Sequence, residues 1–140
     1  MLLKNIIPMM KTTSDQQPLL YSCSGCSSAA QMANYLALQL DKMGVAEMSC
    51  IAGVGGNVKK LVRTALSGRK IIAIDGCPLA CAKACLSNHN ITPDVHIELT
   101  VFGVSKRQHE DFNKEQADGI LELLKEQINQ IDPAAAYVNH

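Results

Sequence analysis

The sequence predicts an α/β fold: a three-layer αβα sandwich around a mainly parallel, four-stranded, Rossmann-like sheet in the order 2-1-3-4. Three observations carry this. Short apolar runs alternate with amphipathic segments about four times along the chain, the pattern of successive βα units joined by right-handed crossovers. Ile71-Ile72-Ala73-Ile74 is a continuous apolar run, as expected of a central strand covered on both faces. Val95, Ile97, Leu99 and Val101 instead alternate with His96, Glu98 and Thr100. That strand has one wet face and belongs at the sheet's edge.

Residues 1–17 read as a flexible lead-in, polar from Lys11 to Gln17. The apolar start from Met1 to Met10 raises the question of a signal peptide, but Lys4 and Pro8 interrupt it and no small-residue cleavage site follows. The domain is expected over residues 18–132, with a tail over 133–140. Leu19-Leu20-Tyr21-Ser22 reads as the first strand. Ser27 or Ser28 can cap the next helix, whose Ala29, Met32, Ala33, Leu36, Leu40 and Met43 follow the 3.6-residue period. Gly44 suits a left-handed stop. Residues 47–52 read as the second strand, followed by the glycine-rich turn Gly53-Val54-Gly55-Gly56-Asn57. Asn57 can cap a helix bearing Val58, Leu61, Val62, Ala65 and Leu66, which Gly68 ends. After the third strand, Pro78 suits the first position of a helix. Asn113 with Gln116 resembles a capping box, and Ala117, Ile120, Leu121, Leu124, Ile128 and Ile131 form the inner stripe of the last helix.

Composition narrows the function. At 140 residues the chain is one domain with room for a real core. Thirteen basic and thirteen acidic side chains cancel, and aromatics are 4% with no Trp, so neither an overall field nor a stacking platform favours nucleic acid. No run approaches the ~20 apolar residues of a membrane span. The expectation is a cytoplasmic protein with neither nucleic acid nor membrane as partner. In a reducing compartment, clustered thiols are more often metal-binding or catalytic than disulfide-bonded.

Five of the six cysteines cluster in two places, Cys23-Ser-Gly-Cys26 and the series Cys77, Cys81, Cys85. Each cluster follows a strand and opens a helix, so topology predicts both at the carboxyl edge, beside the switch point between strands 1 and 3. A helix beginning near Cys77 would set Cys77 and Cys81 one turn apart on one face, with Cys85 a turn further. A CxxC and a CxxxC from two loops form a tetrathiolate signature for zinc, which prefers four tetrahedral ligands. Four thiolates also suit an iron–sulfur cluster, but the spacing matches neither ferredoxin pattern. Thiol–disulfide exchange is the rival chemistry, because a CxxC at a helix N-terminus has an acidified first thiol. Cys85 can be a spare thiol or a buried hydrophobe, and Cys50 reads as core.

Other motifs are weaker. The Cys23 loop lacks the arginine a phosphatase needs. Gly53 to Asn57 has the glycines of an anion-binding nest but no Walker order, and such a turn more often just permits tight chain reversal. His89 and His109 read as solvated loop residues, and His96 should face solvent. Lys106-Arg107 can offset thiolate charge near the same edge. Asp75 is placed to hydrogen-bond an amide near the sulfurs.

Taken together, Ser22-Cys23-Ser-Gly-Cys26-Ser27, Met48-Ser-Cys50-Ile-Ala-Gly53-Val-Gly55-Gly56 and Asp75-Gly76-Cys77-Pro78-Leu79-Ala80-Cys81 resemble the DGC-domain family of zinc-binding proteins. The resemblance runs from about Leu19 to about Ile128. It implies a zinc site on Cys23, Cys26, Cys77 and Cys81 and implies no reaction. Two classes stay open: a closed structural metal in a binding module, or a labile centre that hands on metal, senses it or uses an activated thiol.

Overall fold

The computed structural model describes residues 17–131. Strand β1 (Leu19–Ser22) lies between β2 (Glu47–Met48) and β3 (Ile71–Asp75), and β4 (Val95–Glu98) pairs with the far side of β3. Every pairing is parallel, in the order β2-β1-β3-β4. This is the expected α/β sheet. Both β1 and β3 are buried at every position, while β4 alternates only partly, as an edge strand does.

Helices α1 (Ser28–Lys42) and α5 (Lys114–Ile131) pack together on one face. The short helices α2 (Ile51–Gly55), α3 (Lys59–Ala65) and α4 (Cys81–Ser87) pack together, and right-handed crossovers put them on the other face. The apolar stripes of α1 and α5 meet the sheet as expected: Met32, Leu36 and Leu40 from the first, Ile120, Leu124 and Ile128 from the second, all buried. Each such side chain contributes about 1.5–3 kcal/mol. Tyr35 donates to Asp118 Oδ1 at 2.6 Å and ties the two helices at their rim.

Local signals set several boundaries. Ser27 Oγ accepts from the Ala30 amide at 3.1 Å and caps α1. Gly44, at φ 74°, ends it. Asn113 Oδ1 accepts from the Gln116 amide at 2.9 Å.

Elsewhere the structure corrects the expectation. The second strand is only Glu47–Met48, because Cys50 already stands at the N-cap of α2. The glycine-rich turn is no anion nest. The Val58 amide bonds Gly53 O at 2.8 Å and the Asn57 amide bonds Val54 O at 3.2 Å, with Asn57 left-handed at φ 62°. That is a Schellman stop for α2, and it uses up the amides an anion would need. Val58, not Asn57, therefore precedes α3. Of the stripe expected there, only Ala65 is buried, and Val58 and Leu66 are exposed. Strand 4 stops at Glu98, and Leu99–Phe102 forms a 3-10 turn that leaves Val101 exposed.

The expected lead-in and tail lie outside the described residues except at Gln17, whose side chain donates to Gly44 O at 2.7 Å. Among the described residues no helix is long and apolar enough to cross a membrane.

Candidate metal centre

Because β1 and β3 are parallel neighbours in register from Leu19↔Ile71 to Ser22↔Ile74, the residues leaving them emerge side by side. The Cys23 amide bonds Ile74 O at 3.0 Å, extending the ladder by one step. The Gly76 amide then donates to Cys23 Sγ at 3.2 Å. Gly76 itself runs against the start of α1: a Cβ there would lie 2.6 Å from the Ala29 carbonyl. Only glycine lets the second cysteine loop approach the start of α1 this closely.

Cys23 is buried and Cys26 exposed. Burial pushes the Cys23 thiol up to about 11, against the opposing pull of the Gly76 N–H and with help from the Asp75 charge. Cys26 Sγ–H points to Gln108 Oε1 at 3.7 Å, and its carbonyl accepts from Gln31 Nε2 at 3.0 Å.

The second loop differs from its expectation. Cys77 is not on the helix with Cys81. Residues 77–80 form a turn closed by the Ala80 amide on Cys77 O at 3.1 Å, with Pro78 at its second position, where a fixed φ is favoured. Ala80 is left-handed, at φ 51° and ψ 53°, a conformation costing an L-residue about 1–2 kcal/mol. Helix α4 therefore starts at Cys81 itself.

Ala80 has no side chain to cap α4, and Asp75 does so from the end of β3. Its carboxylate, 1% exposed, accepts from the Ala82 amide at 2.7 Å, the Lys83 amide at 3.2 Å and His96 Nε2 at 2.8 Å. The amide bonds near the sulfurs were expected. His96 was not: it faces Asp75 rather than solvent. Its register opposite Ala73, two residues before Asp75, was the signal, but only the strand pairing reveals it.

Residues 105–108 flank the site. Ser28 Oγ donates to Ser105 O at 3.2 Å and accepts from the Arg107 amide at 2.9 Å, docking this segment on α1. The extended chain then alternates, so Lys106 and Gln108 face the thiols. Lys106 Nζ donates to Cys77 Sγ at 3.5 Å.

Cys23, Cys26, Cys77 and Cys81 all line one cavity of about 190 Å³, with Lys106 and Gln108. The donor set has the number and softness that zinc prefers. Among the described residues, no three Cys, His, Asp or Glu side chains yet stand close enough to hold a metal ion. The thiols share a cavity without forming a finished coordination sphere. Cys85 lies elsewhere: its Sγ sits against α2, 2.9 Å from where a Cβ on Gly55 would be, and burial raises its thiol. Cys50 is exposed rather than core. His89, expected to be solvated, has Nε2 on Val54 O at 2.8 Å.

The DGC domain family matches residues 19–124, which include both cysteine loops and the segment docked beside them. The chain belongs to the DGC-domain family. One relative is the anaerobic and virulence modulator AnvM of Pseudomonas aeruginosa PAO1, 54% identical over 115 residues, which cover 82% of this chain and 88% of AnvM. No solved structure gives a significant match. The family match covers most of the span of the described fold and leaves the chemistry to the site.

Proposed function

We propose that this DGC-domain protein binds one zinc ion through Cys23, Cys26, Cys77 and Cys81 and acts as a metal-handling or metal-sensing protein. The observation that supports this is the convergence of four thiols, from two separate βα loops, on one small cavity. Bound zinc would supply a closed, non-redox thiolate centre rather than a site for hydrolysis, since four-cysteine zinc leaves no open position. The chain's own residues do the rest. Lys106 offsets part of the negative charge that four thiolates bring to one place, and Gly76 keeps the two loops in contact. Cys23 must give up its proton to bind, so affinity rises with pH.

A centre that responds to metal or oxidant suits a modulator, which is what AnvM is named for. The reading assumes a reducing, cytoplasmic setting. Thiol–disulfide exchange through the Cys23/Cys26 and Cys77/Cys81 pairs is the second reading: the Lys106 ammonium on Cys77 Sγ favours it, while the buried Cys23 thiol, raised rather than acidified, counts against it.

The test is elemental mass spectrometry and a free-thiol count on untagged protein purified without chelator. One zinc per chain, with only Cys50 and Cys85 reactive, supports the proposal. No metal, with thiols that titrate reversibly in pairs, replaces it with the redox reading. Iron with inorganic sulfide would mean a cluster instead.

A further inference from the structure

The chain's formal neutrality conceals a separation of charge. Residues 48–93 contain six Lys and Arg and a single acidic residue, Asp75, whereas residues 94–131 contain eight acidic residues and four basic ones. Helices α2, α3 and α4 carry no carboxylate at all, while α5 carries Glu115, Asp118, Glu122 and Glu126 against Lys114 and Lys125. Four of the six cations, Lys59, Lys60, Arg63 and Lys83, stand on α3 and α4 and so on one face.

On that face an open cavity of about 370 Å³ is lined by Asn57, Lys59, Val62, Arg63 and His89, a volume within the usual range for small-molecule sites. Lys59 and Arg63 are four apart on α3 and so share a side, an arrangement that destabilises a helix by like-charge repulsion. Among the described residues no carboxylate lies within ion-pair distance of either. Both side chains are exposed and unpaired among the described residues, so both charges are open to an anion from solution.

The remaining walls are built rather than incidental. His89 Nε2 meets the Val54 carbonyl, which can only accept, so the ring donates from Nε2 and is fastened to α2. Asn57 is fixed by its left-handed place in the Schellman stop. The Asn57 and Val58 amides are already spent in that stop, so the proposal rests on side chains. The larger cavity beside α5, about 450 Å³, offers no such imbalance: its Arg107 already pairs with Glu110 at 3.5 Å.

We propose that this basic cavity binds a small phosphomonoester carrying an apolar or aromatic body. The dianion would sit between the Lys59 ammonium and the Arg63 guanidinium, whose planar fork matches two phosphate oxygens. The body would lie against Val62 and the His89 ring. The site shares no lining residue with the cysteine cavity, so it stands or falls independently of the zinc proposal.

The test uses the full chain as purified, with AMP, adenosine and inorganic phosphate as probes, followed by calorimetry and by amide NMR shifts at residues 57–63 and 89. AMP should bind saturably, more tightly than phosphate or adenosine alone. Lys59→Gln and Arg63→Gln should each weaken it about tenfold, with zinc content unchanged. Lys83→Gln, which removes a cation of α4 outside the cavity, should leave AMP affinity as it was. The proposal is overturned if AMP fails to saturate, if adenosine binds as well as AMP, or if Lys83→Gln weakens AMP as much as Lys59→Gln. Binding only to single-stranded DNA, tightening with oligonucleotide length, would equally overturn it in favour of a diffuse electrostatic surface.

Discussion

The loop after β1 and the loop after β3 deliver cysteines to one cavity, yet they are held in different ways. After β1 the chain runs through Cys23 and Cys26 to Ser27, whose own hydroxyl caps the helix that follows. After β3 the chain passes through a proline turn and a left-handed alanine. There the next helix is capped by Asp75, six residues before it begins, and Asp75 is itself bridged to β4 through His96. The helix after the first loop is capped from within the loop itself, and the helix after the second is capped from the sheet beneath it. The second loop should therefore be the one that fails when the sheet's polar contacts are cut.

The largest effect expected from this contrast is at Asp75. Asp75→Ala leaves two helix amides and the His96 ring without their acceptor, and should cost about 3 kcal/mol. Urea unfolding of the metal-free protein measures it, and a loss no larger than that of a surface substitution would refute the remote-cap description.

A somewhat smaller effect concerns Cys23. Its thiol is raised from an ordinary 9.0 to about 11 in the fold, chiefly by burial. A raised folded pKa means that the stabilising contribution is whole below about pH 9 and is lost as pH climbs through about 11. In the reduced, metal-free chain the loss should reach about 2 kcal/mol between pH 8 and pH 11. Cys23→Ala should show a smaller drop over the same range in a comparison of urea midpoints.

The capping contrast can be sharpened at Ser27, where Ser27→Ala should cost only about 1 kcal/mol. The smallest change has the opposite sign. Ala80→Gly relieves the left-handed strain between Cys77 and Cys81 and should stabilise the chain by up to about 1 kcal/mol. Thermal melts of the two variants, in parallel with the parent, would show whether the second loop is strained at that point.

This difference also explains what could be read from the sequence. The sheet order follows from the buried run at Ile71 and the alternation from Val95, and the caps at Ser27 and Asn113 are short-range signals. The meeting of both cysteine clusters at one edge follows from topology alone. Pro78 misled because the same residue suits either the first turn of a helix or the second position of a β-turn. An alanine gives no warning that it is left-handed, so the break between Cys77 and Cys81 was invisible. The glycines before Asn57 suit a tight chain reversal or an anion nest, because the amides that fill a Schellman stop are the same ones, and the reversal is what forms. His96 could be assigned to Asp75 only once strand register was known.

The measurement that bears most directly on the four-cysteine centre is a cobalt(II) titration of the reduced, metal-free chain, followed by visible and near-ultraviolet absorption. One equivalent should saturate intense tetrahedral d–d bands and thiolate-to-metal charge transfer, and zinc should displace it. Cys50→Ser with Cys85→Ser should leave the spectrum unchanged, and Cys77→Ser should weaken the charge-transfer band. A faint octahedral spectrum without charge transfer, or a full one that survives Cys77→Ser, would contradict the assignment of Cys23, Cys26, Cys77 and Cys81 as the ligands.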